Sequence, residues 1–196
     1  MAACVLAAVL CLLDVRVALA QRAPSPSAPS DPWYGRSPNP KRFEAPKTPL
    51  GPFAIELPKD WQIVPGQGGI IFTAAEKTGN DLPAAALLVE HVQLRGTIEV
   101  TPAIAENELA SIREREPGGE GFAQQIKKTD GRAYIFIEFG RPGLGRPDRV
   151  VQYSIPSGSV MYRLICIAPA VDLVRKYQQI FAHVAASFKP MAAAAK

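Results

Sequence analysis

The chain has 196 residues, 47% apolar and 20% charged, a globular composition that excludes a wholly disordered or fibrous protein. Its net charge of +4 is unevenly spread: residues 21–50 hold Arg22, Arg36, Lys41, Arg42 and Lys47 against Asp31 and Glu44, so residues 51–196 are nearly neutral. A neutral domain lacks the electrostatic footprint of a nucleic-acid binder, and the length left for it allows one domain with a real core, not two.

In chain order, the first feature is an apolar run of twelve residues, Ala2 to Leu13, followed by Ala18-Leu19-Ala20. The run is too short to span a bilayer, and small residues at 18 and 20 suit signal peptidase. Residues 1–20 therefore read as a signal peptide cleaved after Ala20, which implies a secreted or periplasmic protein with no transmembrane span. Cys4 and Cys11 leave with it. Val9-Leu10 before Cys11 does not suit lipoprotein processing, and the remaining Cys166 has no intrachain partner for a disulfide. Cys166 lies in an apolar strand and reads as a small core residue.

Residues 21–50 hold eight of the 19 prolines, so they read as a disordered, semi-extended linker. The basic excess of this linker favours weak contact with an anionic surface. Trp33-Tyr34 and Phe43 interrupt its polarity, either as partner-binding groups or as groups that dock back on their own domain.

From residue 51 the pattern becomes that of a domain, expected to run to 190 before a flexible tail at 191–196. Phe53–Leu57, Trp61–Val64, Gly69–Thr73 and Ala84–Val92 read as strands. Thr101-Pro102 supplies an N-cap and a first-turn proline for a helix with the stripe Ile104, Ala105, Leu109 and Ile112, which Pro117-Gly118-Gly119 stops. Two hairpins follow. Phe122–Lys128 and Arg132–Phe139 flank an Asp130-Gly131 turn, and Arg149–Ile155 and Val160–Ile167 flank Pro156-Ser157-Gly158. The last of these strands is apolar on both faces, which requires cover on both. A final helix starting near Pro169 carries the stripe Val174, Tyr177, Phe181, Val184 and Phe188.

The expected fold class is α+β, a three-layer α/β/α sandwich with a central, mostly antiparallel sheet. The opening Phe53-Ala-Ile-Glu-Leu-Pro-Lys-Asp-Trp61 resembles the start of PsbP-like domains. Tyr162-Arg-Leu164 together with Tyr177, Phe181 and Val184-Ala-Ala-Ser-Phe188 resembles their closing strand and helix. The resemblance covers residues 53–188 and rests on core and turn residues. It implies an α/β/α sandwich that works by binding partners; it carries over no catalytic residues and no cofactor.

Of chemistry, the sequence offers little. His91 and His183 show no metal-ligand spacing, so no metal site is expected. No Gly-x-Ser-x-Gly elbow occurs, and Gly66-Gln-Gly-Gly69 lacks the continuation of a phosphate loop. The unusual stretch is Gly140-Arg-Pro-Gly-Leu-Gly-Arg-Pro-Asp-Arg149, read as a glycine-containing loop on which Arg141, Arg146 and Arg149 could grip an acidic group of a partner. The functional expectation is a secreted, non-enzymatic binding or assembly module of the cell envelope with an unknown envelope protein as partner. The alternatives are an envelope hydrolase with an unrecognised site, or a small-ligand or lipid carrier.

Overall fold

Among the described residues, seven strands pair in one antiparallel sheet. In chain order they are β4 (Trp61–Pro65), β5 (Ile70–Glu76), β6 (Ala86–Gln93), β7 (Glu120–Thr129), β8 (Arg132–Pro142), β9 (Pro147–Ser157) and β10 (Val160–Pro169), and in space they run β4-β5-β6-β10-β9-β8-β7. The computed structural model describes residues 43–47, 50–76, 83–143 and 145–191. The expected signal peptide, most of the expected linker and the tail after Met191 lie outside the described residues. Every pairing in the large sheet is antiparallel.

The alternation of side chains along each strand sorts them onto two faces. Leu164 and Cys166 of β10 lie opposite Val89 and Leu87 of β6, and all four are fully buried. They form one core with Tyr177, Phe181, Val184 and Phe188 of the C-terminal helix. On the other face Ile135, Ile137 and Phe139 of β8 and Val150 of β9 pack against Ala105 and Ile112 of helix α1 (Pro102–Arg115), with Ile165 and Ile167 alongside. Thus β10 has a core on each face, as its doubly apolar pattern requires. Helix α1 starts as expected: Thr101 Oγ1 accepts from the Ile104 amide at 3.3 Å, with proline at the first turn. Its sheet-facing stripe differs from the expected one, because Glu108 is buried on it.

The C-terminal helix begins with α2 (Ala170–Asp172), widens into a π-helical turn at Leu173–Tyr177, and continues as α3 (Gln178–Ser187). Leu173, Tyr177 and Phe181 are buried over the sheet along this helix, and Val174, expected in the stripe, is exposed instead.

Two minor ladders close this side. β1 (Phe43–Glu44) pairs with β3 (Leu57–Pro58), and β2 (Phe53–Ala54) pairs with β11 (Lys189–Pro190). The second ladder holds Phe53 against Phe188 and Tyr162, with ring centroids 4.9 and 5.7 Å away. Phe43 is buried and its ring lies 4.0 Å from that of His183, so of the two fates open to it in the sequence it docks on its own domain.

The segment read as an arginine loop is mostly ladder. β8 runs on to Pro142 and β9 starts at Pro147, with Gly140 opposite Arg149, Arg141 opposite Asp148 and Pro142 opposite Pro147. The prolines sit where the ladder ends and no further amide donor is needed.

Candidate functional site

The three arginines singled out from the sequence come together at one end of the sheet, each with an internal partner. Arg141 Nη1 donates to Glu116 Oε1 at 2.9 Å, just beyond α1. Arg149 Nη2 donates to Glu138 Oε1 at 2.7 Å on β8. Arg146, at the hairpin tip, donates to the Pro83 and Ala84 carbonyls at 3.0 and 3.4 Å, and its Nε stands 3.5 Å from Asp148 Oδ1. That last contact is an ion pair without a hydrogen bond, which leaves Asp148 Oδ1 a buried acceptor lacking a donor. A shallow cavity of about 290 Å³ lies beside Arg141, Arg146 and Asp148. Only Arg146, with 43% of its side chain exposed, presents much of its charge to solvent.

A second polar group is hidden under α1. Glu108 Oε1 accepts from Arg163 Nε at 2.7 Å, Gln152 Nε2 at 2.7 Å and Ser154 Oγ at 2.9 Å, and Oε2 accepts from Arg163 Nη2 at 2.8 Å. Gln152 and Ser154 also bond to each other at 2.8 Å. The cluster is satisfied from within and bolts α1 to β9 and β10.

The histidines do not meet as a metal site: among the described residues, no group of three His, Cys, Asp or Glu side chains is placed to hold an ion. His91 is exposed on β6. His183 Nε2 lies 2.8 Å from Glu56 Oε2 beneath the Phe43 ring. Ser187 stands near them, but its hydroxyl accepts from the Glu56 amide and donates to the Val184 carbonyl, which commits it to the backbone. At the π turn, the Tyr177 hydroxyl donates to Glu76 Oε2, and Lys176 Nζ donates to Glu76 Oε1 at 2.7 Å. Burial, together with the bond to that carboxylate, pushes the Tyr177 phenol up to about 12. Burial likewise raises the Cys166 thiol well above its ordinary value, as expected of an inert core cysteine.

One surface feature with recognition chemistry was not foreseen. A cleft of about 250 Å³ lies between α3 and the turn end of β7–β9. Its floor is Tyr134, Tyr153, Ile155 and Phe188, and α3 contributes only Ala182, Ala185 and Ala186 to its wall. Lys127 and Arg132 line it too. The Asp130-Gly131 turn has positive φ at both residues, 50° and 76°, which sets Thr129 opposite Arg132 and Lys127 opposite Tyr134. Lys127 Nζ lies 3.6 Å from the centre of the Phe136 ring. Burial lowers the Lys127 ammonium from its ordinary value, partly offset by Glu138 on the same face. The sequence did carry a signal for this site. Arg132, Tyr134, Phe136 and Glu138 alternate on one strand face, and the hairpin register brings Lys127 beside them. The open end of the helix cover, which turns this face into a cleft, has no local signature.

Among the described residues, no helix is long and apolar enough to cross a membrane. No protein-family model matches the sequence, and no curated protein matches it. Solved structures do. Cyanobacterial PsbP (CyanoP) from Synechocystis superposes with a TM-score of 0.56 at 13% identity, covering 76% of this chain and 92% of that one. The Saccharomyces cerevisiae Ran-binding protein Mog1p gives 0.52 at 10% identity, with coverage of 76% and 95%. LpqN of Mycobacterium tuberculosis, involved in cell envelope biogenesis, gives 0.50 at 14% identity, with coverage of 70% and 83%. At such identities the likeness is one of fold, and the fold of this chain is PsbP-like, α+β with a large antiparallel sheet.

Proposed function

We propose that the protein is a non-enzymatic binding module of the cell envelope, a three-layer α/β/α sandwich secreted by cleavage after Ala20 and joined to its surroundings by the proline-rich residues 21–42. The observation that carries this reading is the open aromatic cleft with cationic residues on a rigid sheet, in a fold shared with a Ran-binding protein and with a protein of envelope biogenesis. The internal pairing of Glu108 and Glu76 supports it as well, because carboxylates committed to bolting helices to the sheet are poor candidates for acid–base chemistry. Arg146 at the hairpin tip, flanked by Arg141 and Arg149, offers a further contact for an acidic group of the partner.

Fractionation of the native host, with intact-mass analysis of the recovered protein, tests the location. The expected species is extracytoplasmic and begins at Gln21; a full-length cytoplasmic species would refute it. Cross-linking capture by the wild type and by Arg146→Ala, at low salt, tests the hairpin contact. Equal capture retires that contact.

A further inference from the structure

The geometry points to the cleft between α3 and β7–β9 as the docking site for a partner segment that carries an acidic side chain next to an aromatic anchor. This inference rests on the protein-binding reading above and names the chemistry of the partner.

Three observations fix that chemistry. The first is charge. Neither Lys127 nor Arg132 has a carboxylate within bonding distance among the described residues, and Glu138, on the same face of β8, is taken by Arg149. Lys127 is held only over the Phe136 ring. A partly buried ammonium against an aromatic face gains most from an incoming carboxylate, because the surrounding apolar surface screens the new pair less than water would. The second is size and lining. About 250 Å³ is smaller than the ~300–1,000 Å³ of sites for drug-sized ligands and leaves room for about one large side chain. The rings of Tyr134, Tyr153 and Phe188 favour an aromatic ring, and the alanines of α3 leave the space for it. The third is the border. Among the described residues, β7 is the outermost strand of the sheet, ten residues long and paired with β8 alone. An extended segment can therefore hydrogen-bond along it while an anchor turns into the cleft. A peptide uses all three features. A fatty acyl chain would use the aromatic floor and one cation but leave the strand edge idle.

The test uses the protein with short capped peptides and amide NMR. The sequence Ser-Asp-Phe-Asp-Ser should shift the amides of Lys127, Arg132 and Tyr134 saturably, with a Kd of about 1 mM or tighter. A version with lysine for both aspartates, and one with alanine for the phenylalanine, should each bind about tenfold more weakly. Lys127→Ala with Arg132→Ala should weaken the acidic peptide by about tenfold. Ala182→Leu, an exposed helix position where leucine is well tolerated, should fill the cleft and abolish binding with Tm unchanged. Absence of saturation up to about 5 mM, or equal binding by the lysine peptide, overturns the proposal. Tighter binding of decanoate than of the peptide at the same residues also overturns it, in favour of a small amphiphile. These results leave the location of the protein and the hairpin contact untouched, so failure here is separable from failure of the wider reading.

Discussion

Replacing Glu108 by alanine tests whether the hidden polar cluster is a bolt or a bystander. The substitution removes the carboxylate that receives two bonds from Arg163 and one each from Gln152 and Ser154, all between 2.7 and 2.9 Å. The Arg163 side chain is only 13% exposed, and its other carboxylate neighbour, Glu90, is 3.9 Å away, beyond hydrogen-bond reach. A guanidinium would be left buried and nearly unpaired, while Gln152 and Ser154 retain their mutual bond. Breaking such a pair costs about 3–5 kcal/mol, a large part of the ~5–15 kcal/mol that holds an ordinary domain folded. For a domain of this size the corresponding fall in Tm is about 10 °C. Removing both charges with Glu108→Leu and Arg163→Met should recover about half of the loss or more, since no ion then remains to be desolvated. Urea unfolding with an unchanged m-value reads both effects. If Glu108→Ala lies within about 1 kcal/mol of wild type, or the double variant is no more stable than the single one, the argument fails.

Cys166 should react with a thiol reagent in the native protein only as fast as the whole domain opens, because burial both shields the sulfur and disfavours its thiolate; labelling at the denatured rate would contradict this. The Tyr177 phenol is held above its unfolded value of 10.0, so its stabilising effect is complete below pH 10 and is lost as pH rises towards 12. Tyr177→Phe should flatten that part of the pH–stability curve, and an unchanged slope would refute the assignment. Gly143→Ala places a Cβ in overlap with Asp148 Oδ2 and 2.6 Å from the Arg146 carbonyl, so it should open the hairpin tip and cost about 1–3 kcal/mol in thermal unfolding.

Much of this fold is legible locally. The Asp130-Gly131 turn, the Thr101-Pro102 helix start and the doubly apolar β10 each state their own conformation, and the structure has all three. What the sequence withheld was pairing across distance. Gly140 to Arg149 looks like a loop because its glycines and prolines are turn residues; in the structure β8 and β9 run on through it, with Arg141 held by Glu116 and Arg149 by Glu138. Glu108 looks like a solvated helix residue until Arg163, 55 positions away, is set beneath it. Val174 and Leu173 exchange places because a π turn alters the helical period, which a fixed 3.6-residue reading does not anticipate. The cleft has the same origin. Lys127 and Tyr134 can be paired from the hairpin alone, but the alanines that give them an opening come from a helix some fifty residues later.

The outermost strand β7 also bears on how copies of this protein behave in a crowded compartment. A ten-residue unpaired edge is a template for stacking one molecule on the next, the route to insoluble aggregates. Here the edge is interrupted near its start, where Gly121 takes a left-handed conformation (φ 60°) and the register with β8 slips between Glu120 and Ala123. Only the stretch from Ala123 to Thr129 offers regular pairing, and it carries Lys127 and Lys128 near its end. A second copy laid parallel and in register along it would set Lys127 and Lys128 of both chains side by side and be repelled. The lysines that suit an acidic guest thereby discourage in-register stacking of the strand on its own kind.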